Sequence, residues 1–95
     1  VQIQPNLWTQ FFNDWQHECG RRLQAKRQFW FKTQADLAQA AGVSQSMISY
    51  AELGVREPRL AQKMLICAAL SCEVEDIWPY PDRVTFAKRV QGIAA

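Results

Sequence analysis

Thr33 to Pro58 read TQADLAQAAGVSQSMISYAELGVREP, and the order of residue types in this stretch decides the fold. Thr33 can accept a bond from a backbone N–H at a helix start, and Asp36 puts a carboxylate in the first turn, where the helix dipole favours negative charge. Gln34 to Ala41 are mostly good helix formers, with Leu37, Ala38 and Ala41 on one apolar face. Gly42 can then end the helix in a left-handed conformation at little cost. Val43 follows as an apolar plug for the angle between two helices. Ser44 is a ready cap for the second, running from Gln45 to Leu53, in which Met47, Ile48 and Ala51 recur at helical spacing.

The opposite face of that second helix carries Gln45, Ser46, Ser49 and Tyr50. A connection this short leaves the second helix protruding, as a helix that enters a DNA groove must be. Glutamine can pair with adenine N6 and N7, and serine can donate to or accept from several base edges. Gln45 and Ser46 are therefore the expected base readers, with Ser49 and Tyr50 one turn further along. The opposing reading makes them ordinary solvated positions.

The run Thr33-Gln34-Ala35-Asp36-Leu37-Ala38, then Ala41-Gly42-Val43-Ser44-Gln45-Ser46, then Ile48-Ser49, Glu52, Gly54, Arg56 and Pro58, resembles the Cro/C1-type helix-turn-helix family of phage and bacterial repressors. The likeness covers roughly Arg22 to Trp78. It implies an all-α, compact five-helix, lambda-repressor-like DNA-binding domain from a prokaryote or phage. It also implies a cytoplasmic transcriptional regulator, in the first place a repressor, that binds an inverted repeat in double-stranded DNA as a homodimer. By position, Thr33 and Gln34 would meet a DNA phosphate at a helix N-terminus that itself attracts anions. Arg56 would touch the backbone from the loop after the second helix, and Arg59 would lie near the minor groove. Arg27 and Glu52 resemble a partly buried ion pair tying the first helix to the recognition helix. Antitoxins and restriction–modification controllers share the motif and form the alternative within the family. Val55, Glu57 and Arg59 depart from its usual residues, and Glu57 sets a negative charge beside the presumed DNA backbone.

The rest of the chain bounds the function. Ninety-five residues make one small domain, and a net charge of +2 does little to signal nucleic acid. Its distribution says more: Arg21, Arg22, Lys26, Arg27 and Lys32 are uninterrupted by any acid, so Arg22 and Lys26 are further candidates for phosphate contact. The three cysteines, Cys19, Cys67 and Cys72, have no CxxC spacing and no histidine set beyond the single His17. No metal and no cofactor is expected, and the odd cysteine count points to a reducing compartment. No segment is apolar enough to cross a membrane. No glycine-rich phosphate loop, nucleophile–base pair or carboxylate pair appears, so no enzyme is expected.

The flanking segments read as helices too. Residues 19–79 form the expected DNA-binding domain, whose first helix, Cys19 to Phe31, turns Leu23 and Trp30 inward. A fourth helix, Leu60 to Leu70, closes the core with Leu65, Ala68 and Ala69, and a short fifth runs from about Val74 to Trp78. Residues 1–18 form an N-terminal extension, predicted to be a separate helix from Asn6 to Glu18. Its Leu7, Trp8, Phe11, Phe12 and Trp15 make one broad stripe. That stripe either joins the core or docks a second subunit or another protein, which is the reading from a different functional class. Residues 80–95 form a C-terminal extension, with a helix expected from Asp82 to about Gly92 after the Tyr80-Pro81 linker.

Overall fold

The computed structural model describes residues 5–79; the C-terminal helix expected after Asp82 lies outside the described residues. Five α-helices follow one another: α1 Pro5–Trp30, α2 Gln34–Ala41, α3 Gln45–Leu53, α4 Leu60–Leu70 and α5 Val74–Ile77. The fold is all-helical, and there is no strand among the described residues. Helix α1 packs mainly on α3, while α2 bridges α3 and α4, and α5 closes against α1 and α4.

The two helices expected on either side of residue 18 are one continuous helix of 26 residues. Gly20 is the weak point of that span, costing about 1 kcal/mol relative to alanine in a helix interior. It is also where α1 crosses α3: a Cβ on Gly20 would lie 2.8 Å from the carbonyl oxygen of Ala51. Glycine is thus required by close approach, not by a chain break. Glu18 further bridges the junction by pairing with Arg21 at 2.7 Å and Arg22 at 3.4 Å, one turn away on the same face.

Caps fix the central helices. The Thr33 hydroxyl accepts from Asp36 N–H at 3.1 Å, and the Ser44 hydroxyl accepts from Met47 N–H at 3.1 Å. Gly42 and Gly54 end α2 and α3 in the left-handed region, at φ 74° and 73°. Helix α4 begins without a hydroxyl or carboxylate cap; instead the Gln62 side chain reaches back to accept from the Arg59 N–H at 3.0 Å.

The core gathers Leu23 of α1, Leu37 of α2, Ile48 of α3, Ile66 and Leu70 of α4, and Ile77 of α5. Ala38, Ala41 and Ala51 are buried with them, Cys67 is a core side chain, and Val43 packs against the cluster between α2 and α3. Two inward assignments change. Trp30 stays 55% exposed, edge-on to Phe29, because α1 ends there and Phe31 in the following turn packs against the core. In α4 the buried set is Ile66, Cys67 and Leu70, while Leu65 is 48% exposed and Ala68 faces solvent. The inward face is rotated by one residue, with only Ala69 of the expected trio in contact with the core.

The aromatic stripe divides. Phe11 is buried, and Trp15 packs on the core and donates its indole N–H to the Pro79 carbonyl at 2.7 Å. Trp8 and Phe12 stack at 5.9 Å between ring centroids and keep 38% and 41% of their surface exposed. The Lys63 ammonium lies 5.9 Å from the Trp15 ring centroid and 5.5 Å from that of Trp78, and pairs with Glu57 at 3.0 Å. This lysine joins α1, α4 and the end of α5 to the loop after α3.

Candidate nucleic-acid interface

The candidate surface is built from the starts of α2 and α3 and the turn that follows α3. Because capping employs the hydroxyls of Thr33 and Ser44, both helices start abruptly after extended residues. Gln45 and Ser46, the first residues of α3, are exposed; Ser49 is half-buried and Tyr50 exposed. Their apolar counterparts Ile48 and Ala51 are buried on the other side of the same helix. The amphipathic division of α3 is therefore what presents glutamine and serine outward.

After α3 the chain reverses. The Val55 N–H donates to the Tyr50 carbonyl and the Gly54 N–H to that of Ala51, both at 3.1 Å, which is the geometry of a glycine helix stop. Gly54 is needed twice, since a Cβ there would also meet the His17 Cα of α1 at 2.8 Å. The reversal brings Arg56 back over α3, with its guanidinium carbon 5.6 Å from the Tyr50 ring centroid. Ser46, Met47, Tyr50, Arg56, Arg59 and Gln62 line one open groove of about 590 Å³. Met47, expected with Ile48 and Ala51 on the apolar face of this helix, is only half-buried and lines the groove instead, and Gln62 enters the surface without having been singled out in the sequence.

Beneath the surface lies a polar network. Arg27 Nε donates to Glu52 at 2.6 Å and a second guanidinium nitrogen donates to the other carboxylate oxygen at 3.2 Å, with the side chains only 8% and 5% exposed. A third donates to the Lys32 carbonyl at 3.1 Å. The Gln34 amide also donates to Glu52, at 3.2 Å. Sequence reasoning gave Gln34 a phosphate and missed this internal partner. An amide carries two donor hydrogens, so one bond to Glu52 leaves another for an outward acceptor. Among the described residues no buried side-chain polar atom lacks a partner.

Arg22 and Lys26 are not brought to the α3 groove. They line a separate groove of about 530 Å³ with Phe29, Trp30, Leu70 and Asp76, and Arg22 is engaged by Glu18 and by the Asp76 carbonyl. Hydrogen bonds from Arg21 and then Arg22 hold the Glu18 carboxyl below the usual carboxylate range. Glu57, the unwelcome negative charge in the loop, is held by Lys63.

The cysteines are free thiols. Burial pushes Cys19 up to about 11 and Cys67 up to about 12, and burial raises half-buried Cys72 as well. Such thiols are poor nucleophiles and poor ligands near neutral pH. No cluster of histidine, cysteine or acidic side chains suited to a metal occurs among the described residues. No helix among them is long and apolar enough to cross a membrane.

Compared with known proteins, residues 32–77 match a family model described as helix-turn-helix. No curated protein and no solved structure matches the chain. The matched span starts just before the Thr33 cap and ends with α5, so it contains the α3 groove, Glu52 and the Gly54 turn, and leaves α1 outside.

Proposed function

Because residues 32–77 of this chain are a helix-turn-helix domain of the Cro/C1 type, we propose that the protein is a sequence-specific DNA-binding transcriptional regulator that acts as a repressor. The observation that carries this reading is the exposed start of α3, where Gln45 and Ser46 stand outward beside a groove containing Arg56 and Arg59. With α3 in the major groove, Gln45 and Ser46 read base edges and Ser49 follows one turn later. The N-terminus of α2, with Thr33 and Gln34, receives a backbone phosphate. Arg56 and Arg59 contact the sugar–phosphate backbone on the other side of α3, while Arg22 and Lys26 would reach only flanking phosphates.

One such helix reads only a few base pairs. A two-fold homodimer would set two of them about 34 Å apart, one turn of B-DNA, and read an inverted repeat. Repression then follows from occupancy, without catalysis or cofactor. Antitoxins and restriction–modification controllers would use the same surface, and a neighbouring toxin or nuclease gene would favour them. A reading from another class is supported by Phe12, which stays exposed at the edge of a groove of about 540 Å³ shared with Trp15, Leu60 and Lys63. Here α1 docks another protein and the helix-turn-helix is scaffold.

Selection from a random duplex library separates these readings. Enrichment of an inverted repeat by the wild type, with half-site preference altered in Gln45→Ala, supports the dimeric sequence reader. Absence of any enriched sequence at moderate salt sinks it in favour of the scaffold reading.

A further inference from the structure

Tyr50 was singled out as a base reader, yet its immediate surroundings point elsewhere. Its ring, on the exposed side of α3, lies 5.6 Å from the Arg56 guanidinium carbon, within the range of a cation–π contact. This pairing is imposed by the backbone. The Gly54 turn, closed by the Val55 N–H on the Tyr50 carbonyl, folds the chain back so that Arg56 returns over the residue that accepts this bond. Both side chains line the groove that also holds Ser46 and Arg59.

We propose that Tyr50 is a positioning residue for Arg56: its ring is the platform that orients the guanidinium toward a DNA phosphate, and its hydroxyl reads no base. This rests on the DNA-binding reading above and deepens it. An arginine on an exposed loop must otherwise lose rotamer freedom when it meets a phosphate. The cation–π contact with the ring restricts that freedom beforehand and leaves N–H groups of the guanidinium available for a phosphate. Val55 stands after Gly54 where the family resemblance leads one to expect a basic or polar residue, so the orientation of Arg56 carries more of the backbone affinity.

The test measures binding of a mixed-sequence duplex by fluorescence anisotropy over a salt series, for wild type, Y50F, Y50L, R56A and Y50L/R56A. Tyr50 is an exposed position, and thermal melts establish that each variant is folded. Y50F should bind as wild type does. Y50L should lose about two- to fivefold, the range expected for an exposed cation–π contact. R56A should reduce the salt slope by about 0.9, the value for one lost phosphate contact on B-DNA. Y50L/R56A should be no weaker than R56A alone.

Equal loss in Y50F and Y50L would overturn the proposal, since the hydroxyl would then be the working group. Additive losses in the double variant would also overturn it, because the two side chains would act independently. If the wild type binds no duplex at all, the DNA-binding reading fails and this role falls with it. Binding with additive losses defeats only the role of Tyr50.

Discussion

Glu52→Leu isolates the buried pair beneath the recognition helix. In the wild type the Glu52 carboxylate receives two guanidinium bonds from Arg27, at 2.6 Å and 3.2 Å, and one from the Gln34 amide, at 3.2 Å. After the change, Arg27 keeps only the Lys32 carbonyl at 3.1 Å. A guanidinium cannot escape by losing its proton, so a charge that is almost wholly buried is left without its counterion. Breaking a buried pair on one side costs about 3–5 kcal/mol. A domain of this size has in total about 5–15 kcal/mol, so a cost of about 3–5 kcal/mol removes between about a fifth of its stability and all of it. Replacing both members, Arg27→Met with Glu52→Leu, removes the charge together with its partner and should recover stability to within about 1 kcal/mol of wild type or exceed it. Urea denaturation followed by far-ultraviolet circular dichroism reads both. The single variant should lower the midpoint by about 2–5 M at a slope near 1–1.5 kcal/mol per M, and the double variant should restore it. A single-variant cost below about 1 kcal/mol would refute the reasoning, as would a double variant no more stable than the single.

Other consequences can be checked independently. Gly20→Ala should destabilise by more than about 3 kcal/mol, the upper range of overpacking costs, because the methyl meets backbone of α3; Gly42→Ala meets nothing within 4 Å and should cost only about 1–2 kcal/mol for the left-handed backbone, both read by thermal melts. On the selected operator, Ser46→Ala should lose about 1–3 kcal/mol while non-specific binding is spared; equal losses on all duplexes would reject base reading. The raised thiols of Cys19 and Cys67 hold more protons when folded than unfolded, so their contribution is intact below about pH 8.5. It is lost as pH rises toward about 11 and 12, giving a decline of at most about 1.4 kcal/mol per pH unit per thiol. Cys67→Ala should flatten that decline in pH-dependent denaturation.

Local chemistry made the middle of the fold legible. Thr33, Gly42, Ser44 and Gly54 each act through their own side chain or lack of one, within a few residues, and the helix ends lie where those residues predict. The short apolar faces of α2 and α3 were readable as well, because polar residues flank them, except that Met47 turns to the groove while Ile48 and Ala51 are buried. Helix α4 was not: Leu60 to Leu70 is apolar nearly all round, so periodicity fixes no phase, and packing chose Ile66 and Leu70 over Leu65. The boundary expected between Glu18 and Cys19 failed for another reason: the glycine that follows it is accounted for only by the α3 backbone packed against it, a neighbour that the sequence does not state. The bond from Gln34 to Glu52 was hidden in the same way, since it joins residues of two helices whose crossing the sequence does not state.

The continuity of α1 has a mechanical consequence. Its backbone abuts α3 at Gly20 and the Gly54 turn at His17, and Arg27 grips Glu52. Trp8 lies twelve residues before Gly20 on the same rod, an arm of about 18 Å at 1.5 Å per residue. With no break between them, a tilt of about 5° about the Gly20 crossing moves Trp8 by about 1.5 Å, by the same helical rise. The aromatic end is thus joined by one continuous helix to the element packed on α3, the helix that carries Gln45 and Ser46.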